Sequence, residues 1–251
     1  MRWAVVTGAA ARGGAAIARA LHARGIAVVI HHSPRSVDAA ARLAAEFDAA
    51  RAGSARLWCA DFAGDGPTVP QWLVDLAPEV LVCNASVYAP STVADGARAR
   101  LDLAVHLHAH ASILAALLPG APDRAPDRAA DHAPGPALKA VVAVTDVHVE
   151  RPPRGYVWYT VAKAALQALI AALAVDWAPH VRFNAVQPGA MPFPADWTDT
   201  ERAARIEASI PMRRLGRFDE LARVVVWLAL DADYVTGQIV AVDGGRSRHL
   251  V

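Results

Sequence analysis

Seven short apolar runs punctuate the chain: Ala4–Val6, Ile26–Ile30, Ala55–Cys59, Val80–Cys83, Ala140–Val144, Val181–Val186 and Ile239–Val242. Runs this short, rich in β-branched residues and bounded by turn residues, read as buried strands. Between them lie longer stretches of helical periodicity. An Ala-rich helix over Ala15–Ala23 is closed by Gly25, and Ser36 is placed to cap a helix carrying Val37, Leu43 and Phe47. Further helices are expected over Ala97–Leu118, Val157–Ala178, Thr200–Ser209 and Asp219–Leu230. Strands alternating with helices predict an α/β chain with a doubly wound parallel sheet, one domain over residues 1–251. The exception is Ala121–Pro136, where APDR occurs twice before AADHAPGP. Its prolines preclude regular structure, so a mobile surface insertion is expected.

Charge and composition remove several partners. Twenty-five basic and 24 acidic side chains leave a formal charge of +1, which offers no field for nucleic acid. Lys163, Gln167 and Asp176 interrupt the most apolar stretch, so no membrane span is expected. The first strand pattern starts at Trp3 and runs into a glycine turn, which argues against a cleaved leader and for a cytoplasmic protein. Cys59 and Cys83 lie within strand candidates and read as buried thiols rather than a disulfide.

The first strand leads into Thr7-Gly8-Ala9-Ala10-Ala11-Arg12-Gly13-Gly14 and then a helix. Free backbone N–H groups beside a helix N-terminus suit a pyrophosphate, with Gly8 allowing the tight turn and Gly14 a close backbone approach. NAD sites commonly carry a carboxylate after the second strand. Here Ile30 is followed by His31-His32-Ser33-Pro34-Arg35-Ser36, and Arg12 projects from the first turn. Cationic and hydroxyl groups at that place favour the 2′-phosphate of NADPH, with a solvated surface charge as the alternative reading of Arg35 and a satisfied polar contact as that of either histidine.

Tyr159 and Lys163 are four residues apart at the start of a helix, which puts phenol and ammonium on one face. The cation, together with a cofactor, is expected to draw the phenol's pKa down toward working pH and so improve it as a proton donor or acceptor.

In order, the glycine turn, Asp61, Asn84-Ala85-Ser86, the YxxxK of Tyr159 and Lys163, Pro188-Gly189 and Val242-Asp243-Gly244-Gly245 resemble the short-chain dehydrogenase/reductase family over nearly the whole chain. The resemblance implies a Rossmann-like fold, a homotetramer or dimer, Asp61 near the adenine, Asn84 lining the cofactor cleft and Pro188-Gly189 near the nicotinamide. Two departures are similar to the pteridine reductases of that family. Arg12 replaces a turn glycine, and Asp146, thirteen residues before Tyr159, stands where a catalytic serine is usual. By the same resemblance Ser86 faces nicotinamide and pterin, Tyr88 takes the place of a stacking phenylalanine, and Met191–Trp197 belongs to the substrate loop. His106 stands where an asparagine normally holds a water beside the lysine. It has i, i+4 spacing to His110, but no third ligand makes a metal site of the pair.

A carboxylate at position 146 would repel the negative charge that develops on a ketone oxygen, yet can accept from ring or amino N–H groups. The expected activity is therefore hydride transfer from NADPH to a C=N bond of a dihydropterin, of the dihydrobiopterin, dihydromonapterin or dihydrofolate class. Tyr159 would be the proton donor, Lys163 its modulator and Asp146 its partner. The alternatives are a carbonyl reductase acting on 3-oxoacyl thioesters and a catalytically silent dinucleotide-binding regulator.

Overall fold

The computed structural model describes residues 1–64, 66–118, 137–194 and 196–249; the Ala121–Pro136 insertion lies outside them. All seven strand candidates form strands: β1 Trp3–Val6, β2 Ala27–His32, β3 Ala55–Cys59, β4 Val80–Cys83, β5 Ala140–Val144, β6 Arg182–Pro188 and β7 Ile239–Val242. They make one parallel sheet in the order β3-β2-β1-β4-β5-β6-β7.

Helices cover both faces: α1 Arg12–Ala23, α2 Val37–Ala50, α3 Gln71–Asp75, α4 Gly96–Leu103, α5 Ala109–Leu117, α6 Val157–Asp176, α7 Thr200–Ala208 and α8 Phe218–Leu230. Alternate strand residues point to opposite faces, and the core divides accordingly. Val5, Val29, Leu81, Val141 and Phe183 pack with Ile113 of α5 and Leu166 and Ile170 of α6. Val6, Val28, Ile30, Val82 and Val142 pack with Ile17 of α1, Phe47 of α2 and Val225 of α8.

Four expectations need correction. Ser36 precedes α2 but makes no side-chain cap; its hydroxyl donates to the Ser33 carbonyl at 3.2 Å. Cys59 is exposed, because β3 is an edge strand with a solvent-facing side, whereas Cys83 is buried in the centre of the sheet. The helix expected over Ala97–Leu118 contains one wide π turn, Ala104–His108, between α4 and α5, where the Ala109 N–H reaches back five residues to the Ala104 carbonyl. Finally, α6 is by length and apolarity alone sufficient to cross a bilayer, with 20 residues and a mean hydropathy of 1.5. In the fold it packs on the sheet through Ala162, Leu166, Ile170 and Ala174, and carries Tyr159 and Lys163 on that same buried face.

Strand order reverses between β1 and β4, the neighbours from which the chain proceeds outward in opposite directions. Loops leaving the carboxyl ends of such strands diverge and leave a crevice, the usual ligand position in sheets of this kind.

Candidate active site

Thr7, at the end of β1, holds the crevice floor together. Its hydroxyl oxygen accepts the N–H groups of Asn84 at 2.7 Å and Ala85 at 2.9 Å. Its proton points to His110 Nε2 at 3.0 Å or to the Val82 carbonyl at 3.2 Å. The His110 Nδ1 lies 2.9 Å from the His106 carbonyl, which can only accept, so Nδ1 carries the ring proton and Nε2 is an acceptor. Asn84 adds its side-chain amide, donating to the carbonyls of Thr7 at 2.9 Å and Gly8 at 3.2 Å. Thr7, His110 and Asn84 thus tie the ends of β1 and β4 to α5.

This geometry changes the account of the glycines. A Cβ on Gly14 would lie 2.1 Å from the Gly8 carbonyl oxygen, and one on Gly8 would lie 2.9 Å from the Ala85 Cα. The missing side chains make room for the protein's own backbone. Gly13 is less constrained, since its Cβ would meet the Leu221 side chain at 3.4 Å.

Beside the turn a cavity of about 290 Å³ is lined by Gly8, Ser33, Arg35, Ser36, Asp61, Ala85 and Ser86, bringing together much of the expected dinucleotide site. His31 also lines it, but not as a cation. Its Nδ1 accepts the Gly8 N–H at 2.9 Å and its Nε2 donates to the Ala60 carbonyl at 3.2 Å, while the ring stacks on Phe62. Burial pushes its pKa down to about 3, so His31 is a neutral strut and Arg35 is left as the cation lining this cavity. Arg12 is held elsewhere: its guanidinium donates to the Pro192 carbonyl at 2.7 Å and lies over the Phe218 ring. Its φ of +52° is the left-handed region that favours glycine.

The chemistry converges at the ends of β5 and β6. Asp146 follows β5 and accepts the Tyr159 hydroxyl at 2.6 Å and the His148 N–H at 2.9 Å. Lys163 is buried and donates to the Val144 carbonyl at 2.9 Å. Pro188 ends β6, and Gly189, pressed against the Asp243 backbone, donates its N–H to the Val242 carbonyl at 3.0 Å.

In the protein alone, Lys163 does not lower the Tyr159 pKa. Burial, and then the adjacent Asp146 carboxylate, hold the phenol's pKa well above its usual value. The ammonium lies 5.9 Å from the Tyr159 ring centre, donates one of its protons to the Val144 carbonyl, and has its pKa pushed down to about 8 by burial. Tyr159 is therefore a protonated phenol, suited to giving a proton.

Tyr88 stacks on Tyr156 at 4.4 Å and meets Tyr159 edge-on at 4.8 Å, forming an aromatic wall over the reacting hydroxyl. His148 was not singled out by the sequence reading, yet its Nδ1 lies 3.2 Å from the Asp146 carboxylate. An Asp two residues upstream, able to accept its backbone N–H in a turn, was the available signal.

Residues 77–247 match the family described as enoyl-(acyl carrier protein) reductase. Pteridine reductase 1 of Leishmania tarentolae is 31% identical over 279 aligned positions, covering 97% of this chain and 96% of that protein. The chain belongs to the short-chain dehydrogenase/reductase family. Protein FixR of Bradyrhizobium diazoefficiens is 46% identical over 90 residues, 35% of this chain; the chain spans only about a third (32%) of that relative's length. The solved structure of FolM alternative dihydrofolate reductase 1 from Brucella canis, complexed with NADP, superposes with a TM-score of 0.82. It is 28% identical and covers 100% of this chain and 95% of the other.

In this member of the family the His106 ring is engaged by protein groups on both sides. Its Nδ1 bonds the Asp102 carbonyl at 2.8 Å, and its Nε2 faces the Ser86 hydroxyl at 2.9 Å and the Val87 N–H at 3.3 Å. Neither ring nitrogen is left to hold a water beside Lys163.

Proposed function

We propose that this short-chain reductase transfers a hydride from NADPH to a C=N bond of a dihydropterin. One observation carries the reading: the hydrogen-bond partner of the Tyr159 phenol is the Asp146 carboxylate, at 2.6 Å. A ketone oxygen gaining negative charge would face that carboxylate at close range and be destabilised. A pterin ring places accumulating charge on nitrogen and has N–H groups for a carboxylate to accept. The similarity to pteridine reductase 1 and to FolM supports the same substrate class.

The dinucleotide fits the residues present. Ser33, Arg35 and Ser36 line the cavity, the segment Ser33-Pro34-Arg35-Ser36 that follows β2 carries no carboxylate to accept ribose hydroxyls, and FolM is complexed with NADP. Gly8, Gly13 and Gly14 would set the N-terminus of α1 against the phosphates, with Arg12 close by. Asp61 would sit at the adenine, Asn84, Ala85 and Ser86 along the cleft, and Pro188 and Gly189 at the nicotinamide. Bound NADPH supplies the hydride. Tyr159 delivers its proton to the substrate nitrogen, Lys163 offsets the charge left on the phenolate, and Asp146 holds the phenol in place. Tyr88 and Ser86 bound the substrate.

A homotetramer is part of the proposal. An apolar groove between α5 and α6, lined by Leu114, Leu118, Leu169, Leu173 and Trp177, and a half-exposed Ile239 on edge strand β7 offer surfaces for it.

The deciding assay follows NADPH oxidation with dihydrobiopterin, dihydrofolate and a 3-oxoacyl thioester. Turnover of a pterin but not of the thioester is expected. The reverse result establishes a carbonyl reductase, and stabilisation by NADPH without turnover of any substrate establishes a silent binding protein.

Lys163 predicts the alkaline limb. With its pKa near 8, the ammonium is lost as pH rises, so kcat/KM should fall about tenfold per unit above roughly pH 8. Stability moves the other way, because the folded pKa is depressed. This group's contribution is present above its ordinary value of 10.5 and is lost as pH falls through about 8. A kcat/KM profile flat from pH 7 to about 10 would remove Lys163 from the mechanism.

A further inference from the structure

His106 is fully buried in the wide turn between α4 and α5, and its ring is fixed from both sides. The Asp102 carbonyl, 2.8 Å from Nδ1, has only lone pairs to offer, so Nδ1 must carry the proton. The Val87 backbone N–H, 3.3 Å from Nε2, has only a proton to give, so Nε2 must be bare. The two neighbours independently require the same tautomer. Asp102 is in turn clamped by two bonds from Arg98, at 2.8 and 2.6 Å, which holds the turn that presents the ring. Burial also drives the imidazole pKa down to about 2, so the ring stays neutral at any working pH.

The consequence falls on Ser86. Its hydroxyl lies 2.9 Å from the bare Nε2 and must donate there. A hydroxyl has one proton; with that proton committed, Ser86 turns only lone pairs toward the cavity it lines. Asp146 presents a carboxylate to the Tyr159 phenol. The reacting end of the site therefore holds two acceptors and one donor.

We infer that His106 is a specificity-determining positioning residue: by fixing Ser86 as an acceptor in the site that holds Asp146, it selects nitrogen heterocycles that bear N–H or amino donors. A carbonyl compound lacking such donors leaves the Ser86 acceptor unpaired, a cost that hydrogen-bonding sites convert into rejection. This inference rests on the proposed pterin reduction and deepens it, and it assigns the selection to residues outside the Tyr159 and Lys163 pair.

Two measurements test it. In protein labelled with ¹⁵N-histidine, assigned by loss of signals in His106→Gln, the His106 ring should show the Nδ1–H tautomer from pH 6 to 8. The opposite tautomer or an imidazolium overturns the inference whatever the substrate. In the second, dissociation constants are measured for a dihydropterin and its 2-desamino counterpart on the NADP⁺-loaded protein. Wild type should prefer the amino compound at least tenfold, and both Ser86→Ala and His106→Gln should reduce that ratio to within about threefold of unity. An unchanged ratio in folded Ser86→Ala overturns the inference. Wild-type protein that binds neither compound, with the expected tautomer present, overturns the pterin reading and the substrate class inferred from it.

Discussion

Tyr159→Phe is expected to lower NADPH-dependent turnover by about 10²- to 10⁴-fold, the span a positioned proton donor supplies, while dinucleotide affinity changes only slightly. The substitution removes a single oxygen. The rings of Tyr88 at 4.8 Å and His106 at 5.4 Å keep their edge-to-face contacts with an aromatic side chain. Asp146 loses one donor and retains the His148 N–H. One net hydrogen bond amounts to roughly 1 kcal/mol, or about 2 to 4 °C in melting temperature for a chain of this size. Fold and chemistry are thereby separated: a fall in kcat with a nearly unchanged NADPH titration and melt assigns the proton to Tyr159. A variant that keeps more than about a tenth of wild-type turnover shows that the proton comes from elsewhere, against the range a lost general acid predicts.

The state of that phenol explains where sequence reasoning stopped. Spacing places Lys163 one helical turn from Tyr159, and the structure agrees. Spacing does not reveal that the phenol is buried, nor that a carboxylate lies at 2.6 Å, and those two facts set the direction of the pKa shift. His31 shows the same limit. Polar residues after β2 resemble a phosphate site, but a buried backbone N–H at Gly8 and a carbonyl at Ala60 also needed partners, and the imidazole satisfies both. The strands were legible because apolar runs of this length have few other uses. Edge position was not, since Ala55–Cys59 reads like an interior strand until its neighbours are known, and Cys59 proved exposed. The wide turn at Ala104–His108 was hidden within a continuous helical pattern, and the two histidines whose spacing alone makes no metal site are the supports of Ser86 and Thr7.

Gly14→Ala tests whether the opening turn is set by backbone contact. The added Cβ would lie 2.1 Å from the Gly8 oxygen, 2.9 Å from the Gly8 carbonyl carbon and 2.7 Å from the Asn84 side-chain nitrogen. Two of those atoms are backbone, so no rotamer change relieves the clash, and the turn must open. Opening draws the Gly8 carbonyl away from the Asn84 amide that ties it to β4. It also displaces the N-terminus of α1, whose N–H groups are proposed to meet the phosphates. The expected loss is about 1–3 kcal/mol, as for other overpacked sites, or roughly 2 to 12 °C in melting temperature, together with at least about tenfold weaker NADPH binding as the anion site is displaced. Gly13→Ala is the control one residue away. Its Cβ would meet the Leu221 side chain at 3.4 Å, within what that side chain can yield, and alanine is preferred over glycine in a helix by up to about 1 kcal/mol. Gly13→Ala should therefore melt at or slightly above wild type. Were Gly14→Ala to match that control in both melting and NADPH affinity, the close approach of turn and helix would not be what holds the phosphate end of the cleft.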